Sequence, residues 1–231
     1  MSNYRIQVVA FVLLLNFLLF SYAKAQTMSV KKKYQMLCLG DSYTIGESVL
    51  EEERFPNQLV KLLANQHILF DKPILVAKTG WTTDELALAI SQERLLQKYD
   101  WVTLLIGVNN QYRKRDLENY KTEFKELLET AIRFAGGQSN RVIIVSIPDW
   151  GVTPFGANDA RGSVQIGVEV DAFNAVNKSE SALAKVQYVN ITPISKKASK
   201  DATYIAHDHL HPSGKMYQEW AELICRQVFS K

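Results

Sequence analysis

The chain has 231 residues, a length that fits one domain with a sizeable core better than two, since single domains commonly have about 100–200 residues. Its content of 47% hydrophobic and 22% charged residues is typical of a soluble globular protein and excludes a disordered, collagen-like or polytopic membrane chain. The formal net charge of the chain is +3. Two of the 27 basic residues lie before residue 26 and all 24 acidic residues lie after it, so residues 26–231 have a formal net charge of +1. A nucleic-acid partner is therefore not expected.

Residues 1–25 have the pattern of a secretory signal peptide. Arg5 precedes an apolar run from Val8 to Phe20, and the small residues Ala23 and Ala25 follow where a signal peptidase would cut. The run is shorter than the ~20 residues that span a bilayer, so we expect cleavage near Ala25 and no stable membrane span, with a retained anchor as the alternative. Residues 26–231 are then expected to form one mature domain that is secreted or periplasmic.

Short apolar runs alternate with longer segments of helical period along the rest of the chain. The predicted strands are Tyr34–Leu39, Pro73–Ala77, Trp101–Ile106, Arg141–Ile147 and Val186–Ile191. The predicted helices are Phe55–Gln66, Thr83–Gln97, Leu117–Ala135, Val164–Ala184 and Gly214–Phe229. Several strands are apolar throughout, as in parallel sheets covered on both faces. The pattern predicts a single α/β domain, a three-layer α/β/α sandwich around a five-stranded parallel sheet.

Two local signals complete this outline. Gly136 and Gly137 are placed to end the third helix. Residues 148–162 lack a clear period and are rich in Pro, Gly and Asn, which predicts a long loop after the fourth strand, of the kind that is often functional. Cys38 lies in an apolar strand and Cys225 on an apolar helical face, so we expect two free, buried thiols, with a disulfide as the alternative.

Polar residues follow four of the predicted strands, at the edge where open parallel sheets bind ligands. They lie in the segments Gly40–Ser42, Lys78–Trp81, Gly107–Asn110 and His207–Pro212. Ser42 directly after a buried strand presents a hydroxyl at this edge, although a serine there is also a common helix N-cap. Gly80 offers an unobstructed backbone N–H and Asn109 a side-chain amide for a developing negative charge, although both also suit a plain turn.

Asp208 and His211 form the sharper signal. Three residues apart, they can place a carboxylate on one imidazole nitrogen while the other nitrogen faces a serine hydroxyl. The competing interpretation is a metal site, because His207, His209 and His211 alternate and could project to one side of an extended segment. That interpretation leaves Ser42, Gly80 and Asn109 without a role, so we expect no metal.

The ordered set of these segments resembles the SGNH or GDSL-type hydrolase (esterase/lipase) superfamily, named after a serine, glycine, asparagine and histidine. Ser42, Gly80, Asn109 and His211 occur in that order over almost the whole mature chain. The resemblance implies a flavodoxin-like sheet of strand order 2-1-3-4-5 and hydrolysis of an ester without metal or cofactor. Two positions depart from the usual family pattern, Tyr43 in place of Leu and Asn110 in place of Asp.

The resemblance also implies roles for the matched residues. Ser42 would be the nucleophile, His211 the general base and Asp208 the residue that orients the histidine. The backbone N–H groups of Ser42 and Gly80, with the side chain of Asn109, would form the oxyanion hole.

Aromatic residues near these segments are the candidates for substrate binding. They are Tyr43, Trp81, Trp150 and Phe155, whose rings suit either an acyl chain or a sugar. We therefore expect a small-molecule, glycan or lipid ester as substrate, either an acetylated carbohydrate or a lysophospholipid or fatty ester. A non-catalytic carbohydrate- or surface-binding protein on the same fold is the alternative.

Overall fold

Five parallel strands form the sheet at the centre of the molecule. The computed structural model describes residues 32–229, so the predicted signal peptide and its cleavage site lie outside the described residues. The strands are β1 (Met36–Gly40), β2 (Ile74–Ala77), β3 (Trp101–Leu105), β4 (Val142–Val145) and β5 (Gln187–Val189). They pair in the order β2-β1-β3-β4-β5, which confirms the predicted topology.

The burial of the strands follows their composition. Every residue of β1, β3 and β4 is buried, as expected for apolar strands covered on both faces, whereas the edge strands β2 and β5 are partly exposed. Because all five strands run in the same direction, their carboxyl ends meet at one edge, where the predicted site residues emerge.

Helices surround this sheet. In chain order they are α1 (Ser42–Ile45), α2 (Phe55–Asn65), α3 (Thr83–Gln92), α4 (Val108–Tyr112), α5 (Leu117–Phe134), α6 (Pro154–Ala157), α7 (Ser163–Ala184), α8 (Thr192–Ser195) and α9 (Gly214–Ile224). Helix α2 packs against α9, and α5 packs against α3 and α7. Right-handed crossovers place these two groups on opposite faces of the sheet, which gives the three layers. None of the helices within residues 32–229 is long and apolar enough to cross a membrane.

Some boundaries differ from the predictions for local reasons. The predicted helix Thr83–Gln97 ends at Gln92, because Glu93 adopts an extended backbone. The last helix changes from α to π geometry over Cys225–Phe229. The predicted loop 148–162 contains a 3₁₀ turn and helix α6. Thr153 is the N-cap of α6, and its hydroxyl accepts a hydrogen bond from the Gly156 N–H.

Other predicted features are confirmed. Gly136 and Gly137 both have left-handed backbones after α5, and the Gly137 N–H donates to the Ile132 carbonyl as in a Schellman C-cap. Cys38 and Cys225 are free and buried. Burial raises the pKa of the Cys38 thiol to about 12, against a hydrogen bond with Thr103, so it behaves as a small apolar side chain.

Candidate active site

Ser42 begins helix α1, immediately after strand β1. Asp41 caps the helix by accepting a hydrogen bond from the Tyr43 N–H at 3.0 Å. As the first helical residue, Ser42 has a backbone N–H without an intrahelical acceptor. A side chain at Gly40 would clash with the Thr44 hydroxyl and the Leu105 carbonyl, so the chain needs glycine at the end of β1. The strand can therefore pass directly into a helix that presents Ser42 at the sheet edge.

His211 bridges Ser42 and Asp208. Its Nε2 atom lies 2.9 Å from the Ser42 Oγ atom, and its Nδ1 atom lies 2.6 Å from Asp208 Oδ2. A carboxylate only accepts hydrogen bonds, so Nδ1 carries the proton and Nε2 is left to accept the Ser42 hydroxyl proton. The residue is 7% exposed, and its ring packs on Tyr43 with ring centroids 5.4 Å apart. The arrangement suits proton transfer from the hydroxyl to a fixed imidazole.

Asp208 is held by four hydrogen bonds. Its Oδ1 atom accepts from the backbone N–H groups of Leu210 and His211, and its Oδ2 atom accepts from His211 Nδ1 and the Ser48 hydroxyl. Burial raises the pKa of this carboxyl, but the hydrogen bonds from Ser48, the two backbone N–H groups and His211 together bring it well below its ordinary value. The group is therefore an anion at neutral pH.

Gly80 and Asn109 lie at the same edge. Gly80 has a φ of +86°, a left-handed backbone that other residues rarely adopt, and its N–H finds no acceptor among the described residues. Asn109 donates one amide hydrogen to the Trp81 carbonyl at 3.0 Å, which orients its side chain and leaves the second hydrogen available. Arg113 donates to the Gly80 carbonyl at 2.6 Å and further ties this loop to helix α4.

Asn110 has a structural role beside Asn109. Its Oδ1 atom accepts the Thr83 N–H at 3.1 Å, and its Nδ2 atom donates to the Thr83 hydroxyl at 2.6 Å. The side chain is fully buried and both of its ends are paired with the start of helix α3. Two adjacent amides therefore differ, because Asn110 joins two elements while Asn109 keeps a donor free at the sheet edge.

These residues surround one cavity of about 160 Å³. Ser42, Gly80, Asn109 and His211 line it together, and its remaining walls are mostly apolar, formed by Tyr43, Thr79, Val108, Tyr112, Trp150, Phe155 and Leu210. Tyr112 and Phe155 are 44% and 41% exposed, so these two residues form the rim. The structure thus brings a hydroxyl, a base and two amide donors to the mouth of a small aromatic pocket.

The aromatic wall of the pocket is held from behind. Trp150 is 2% exposed and donates from Nε1 to Gln111 Oε1 at 2.7 Å. The Arg161 guanidinium lies 5.0 Å from the Trp150 ring centre and forms an ion pair with Asp159. The Arg161 side chain is only 12% exposed. These contacts fix the segment after β4, so the pocket wall is preformed.

The predicted substrate-binding aromatics have different positions. Trp150 and Phe155 line the cavity, and Tyr43 also touches it although it is only 3% exposed and packs on Trp220. Trp81 does not line the cavity. Its ring packs against the core. The Trp81 N–H donates to the Lys78 carbonyl and so closes the tight turn that contains Gly80. Only its backbone carbonyl, which accepts from Asn109, contributes to the site.

Five residues at the site were not predicted from the sequence. Thr79, Val108, Tyr112 and Leu210 line the cavity, and Ser48 donates to Asp208. Tyr112 lies one helical turn after Val108 on α4, so the short helix that follows β3 was the signal that could have found it. Ser48 has no comparable signal, because its contact is with a residue 160 positions later.

The three alternating histidines do not converge on a metal. His211 is buried against Ser42, whereas His207 and His209 are exposed. Within the part of the chain that the structure covers, no group of three or more metal-binding side chains comes close enough to hold an ion. The left-handed backbone of His209, with a φ of +64°, interrupts the extended geometry that the metal interpretation requires.

The fold and the cavity define a hydrolase class built on a flavodoxin-like sheet. A model of the GDSL-like lipase/acylhydrolase family matches residues 38–219, and the chain belongs to this family. It is therefore an ester hydrolase of the SGNH/GDSL type, as the sequence predicted. No curated protein matches the chain by sequence.

Solved structures with the same fold are distant in sequence. An acetylxylan esterase, Axe2 from Geobacillus stearothermophilus, is 20% identical with a TM-score of 0.65 and covers 88% of this chain and 98% of its own. A lipase/acylhydrolase from Enterococcus faecalis is 21% identical with a TM-score of 0.64, covering 84% and 95%. TesA is 15% identical with a TM-score of 0.63, covering 84% and 98%. At these identities the similarity establishes the fold alone.

Proposed function

We propose that this protein hydrolyses short-chain carboxylic esters through a Ser42–His211–Asp208 triad and an acyl-enzyme. The observation that carries the proposal is the continuous chain of hydrogen bonds from Ser42 Oγ through His211 to Asp208, at 2.9 and 2.6 Å, at the mouth of the cavity. Nucleophile and base lie within hydrogen-bond reach, and a third group orients the base.

The reaction proceeds in two steps. Ser42 Oγ forms a bond with the acyl carbon while His211 Nε2 takes the hydroxyl proton, and the ester C–O bond then breaks as His211 donates that proton to the leaving alcohol. Water next attacks the acyl-enzyme with His211 as base, and the acid is released with Ser42 regenerated. Asp208 stays ionised throughout and stabilises the imidazolium that forms in each step.

The carbonyl oxygen becomes negatively charged in both steps. We assign its stabilisation to the N–H groups of Ser42 and Gly80 and to the free amide hydrogen of Asn109. The Gly80 N–H has no acceptor in residues 32–229, and the Asn109 amide is oriented by the Trp81 carbonyl, so neither donor needs to leave a partner when the charge develops.

The size of the cavity favours a short acyl group. A closed cavity of about 150 Å³ accommodates benzene, so this open pocket, at about 160 Å³, has room within its walls for a short acyl group. The exposed rings of Tyr112 and Phe155 at the rim offer flat apolar faces to the alcohol part of the ester. An acetylated carbohydrate fits both features better than a lysophospholipid or fatty ester, and Axe2, of similar fold, is an acetylxylan esterase.

The test is hydrolysis of p-nitrophenyl acetate, butyrate and octanoate by residues 26–231. We expect the acetate and butyrate to be cleaved with the highest kcat/KM, the Ser42→Ala variant to be inactive, and a chelator to have no effect. Acetylated xylo-oligosaccharide and lysophosphatidylcholine then compare the two natural substrate classes. Preference for octanoate and lysophosphatidylcholine would overturn the short-acyl assignment, and equal rates for the native and Ser42→Ala proteins would overturn the triad.

We also propose that the protein is exported, on the strength of the pattern in residues 1–25. N-terminal sequencing of protein recovered from outside the cytoplasm is expected to begin at Gln26. A sequence that begins at Met1 or Ser2 would contradict cleavage and favour the anchor.

A further inference from the structure

Ser48 adopts an unusual backbone for its residue type. Its φ is +66°, in the left-handed region that non-glycine residues rarely adopt. It follows Gly46, whose φ of +68° ends helix α1. A left-handed serine in the turn after the helix that carries the nucleophile maintains backbone strain, so its side chain is expected to make a contact that offsets the strain.

The contact is with Asp208. The Ser48 hydroxyl donates to Asp208 Oδ2 at 2.6 Å, on the same oxygen that accepts from His211 Nδ1. The other three donors to Asp208 all come from residues 210 and 211, within the same short loop. Ser48 is the one donor to this carboxylate, within the described residues, that comes from a different part of the fold.

The turn that carries Ser48 is fastened to the nucleophile. The N–H groups of Gly46 and Glu47 both donate to the Ser42 carbonyl, the second at 3.0 Å. A closed ring of contacts therefore runs from the Ser42 carbonyl through this turn to the Ser48 hydroxyl, then through Asp208 and His211 back to the Ser42 hydroxyl. The ring joins the chain after β1 to the loop before α9.

We propose that Ser48 is a positioning residue, which sets the distance and angle between His211 and Ser42 by holding Asp208 from the nucleophile's side of the site. The proposal rests on the triad proposed above. Ser48 does not touch the reacting atoms. Its hydroxyl supplies the fourth hydrogen bond that fills the acceptor sites of Asp208 and leaves the carboxylate no freedom to turn away from His211.

Kinetics of the Ser48→Gly and Ser48→Ala variants on p-nitrophenyl acetate test the proposal. Both variants lose the hydroxyl, but glycine adopts a φ of +66° freely while alanine keeps the strain. We expect kcat to fall about tenfold in both, as for one lost hydrogen bond to a charged group, with KM changed less than about twofold. His67→Gly is the matched control, because His67 is exposed and has a φ of +63° away from the site.

A double-mutant cycle separates positioning from a general effect on the fold. In an Asp208→Ala background, Ser48→Gly is expected to cause no further loss of kcat, since the group that it holds is gone. An unchanged kcat in Ser48→Gly, or equal losses in both backgrounds, would overturn the proposal while Ser42-dependent turnover persists. Equal turnover by the native and Ser42→Ala proteins is a different result and would overturn the triad itself.

Discussion

Asp208 of the triad and Asp41, which directly precedes the nucleophile, have opposite environments. Asp208 accepts four hydrogen bonds, and its pKa is well below the ordinary value. Asp41 accepts the Tyr43 N–H, but its Oδ2 atom finds no donor among residues 32–229, and burial raises its pKa to about 7 despite backbone hydrogen bonds. Asp41 is fully buried whereas Asp208 is partly exposed, so Asp41 has both the larger desolvation penalty and the fewer donors, and Asp208 is the carboxyl that is held as an anion.

The largest expected effect is the loss of kcat on substitution of Asp208, the aspartate that accepts four hydrogen bonds. Asp208→Asn replaces a carboxylate by an amide that both donates and accepts, so it favours the wrong tautomer of His211. We expect kcat for p-nitrophenyl acetate to fall by about 10⁴. A loss of less than about tenfold would mean that catalysis does not need the charge of Asp208. The difference in charge between Asp208 and Asp41 would then have no consequence for activity.

Asp41→Asn tests the other side through stability. Asp41 stays protonated in the folded chain up to about pH 7 and ionises near pH 4 when unfolded, so between these values the folded chain binds the extra proton. The free energy of unfolding therefore falls as the pH rises through this interval. Asparagine keeps the cap and carries no charge. We expect the variant to be more stable than the native protein by on the order of 3–4 kcal/mol at pH 8.

Urea denaturation at pH 4 and pH 8 measures this difference. The stabilisation by Asp41→Asn is expected to be present at pH 8 and to be largely lost at pH 4, where the carboxyl is neutral in the folded chain and only about half ionised in the unfolded chain. The same stabilisation at both pH values would show that Asp41 does not titrate in this interval, and the contrast with Asp208 would then lack its electrostatic basis.

The two asparagines after β3 extend the comparison from carboxyls to amides. Asn109 keeps one amide hydrogen free, whereas the Thr83 hydroxyl and N–H occupy both ends of Asn110. We expect Asn109→Ala to lower kcat about 10²-fold with little change in Tm, as for a lost oxyanion donor. Asn110→Ala is expected mainly to destabilise, by about 1–3 kcal/mol, because it leaves buried groups unpaired. Exchanged outcomes would reassign the two roles.

The sheet and the position of the site could be predicted from the sequence because both depend on local pattern. Apolar strands alternate with amphipathic helices, and topology brings the carboxyl ends of parallel strands together whatever the loops between them do. Ser42, Gly80, Asn109 and His211 each follow a strand or lie in the last loop, so their convergence on one cavity required no knowledge of side-chain packing.

The parts that were not predicted depend on turn geometry and long-range contacts. Trp81 directly follows Gly80, but its ring packs on the core because the left-handed backbone of Gly80 turns the chain at this point. Ser48 meets Asp208 only because two left-handed residues reverse the chain after α1. The strand order determines which segments come close, whereas individual φ angles determine which side chain points into the site.

The smallest expected effect concerns Thr44, on the same turn as Asp41. Its hydroxyl is buried and has no hydrogen-bond partner in the described chain. Thr44→Val replaces the unpaired hydroxyl by a methyl group of similar shape, so we expect the free energy of unfolding to rise by about 1 kcal/mol. Urea denaturation at pH 7 measures it.

Thr192→Val is the matched control for this change, because the Thr192 hydroxyl donates to the Ile147 carbonyl at 2.8 Å and accepts from Asn174. There the same substitution leaves buried partners unpaired, and we expect a loss of about 1–3 kcal/mol. Opposite signs for the two variants would show that the turn carrying the nucleophile holds unsatisfied polar groups while the turn after β5 does not. A loss in both would mean that Thr44 has a partner in solution, and that the incomplete hydrogen bonding around Asp41 is confined to its own carboxyl.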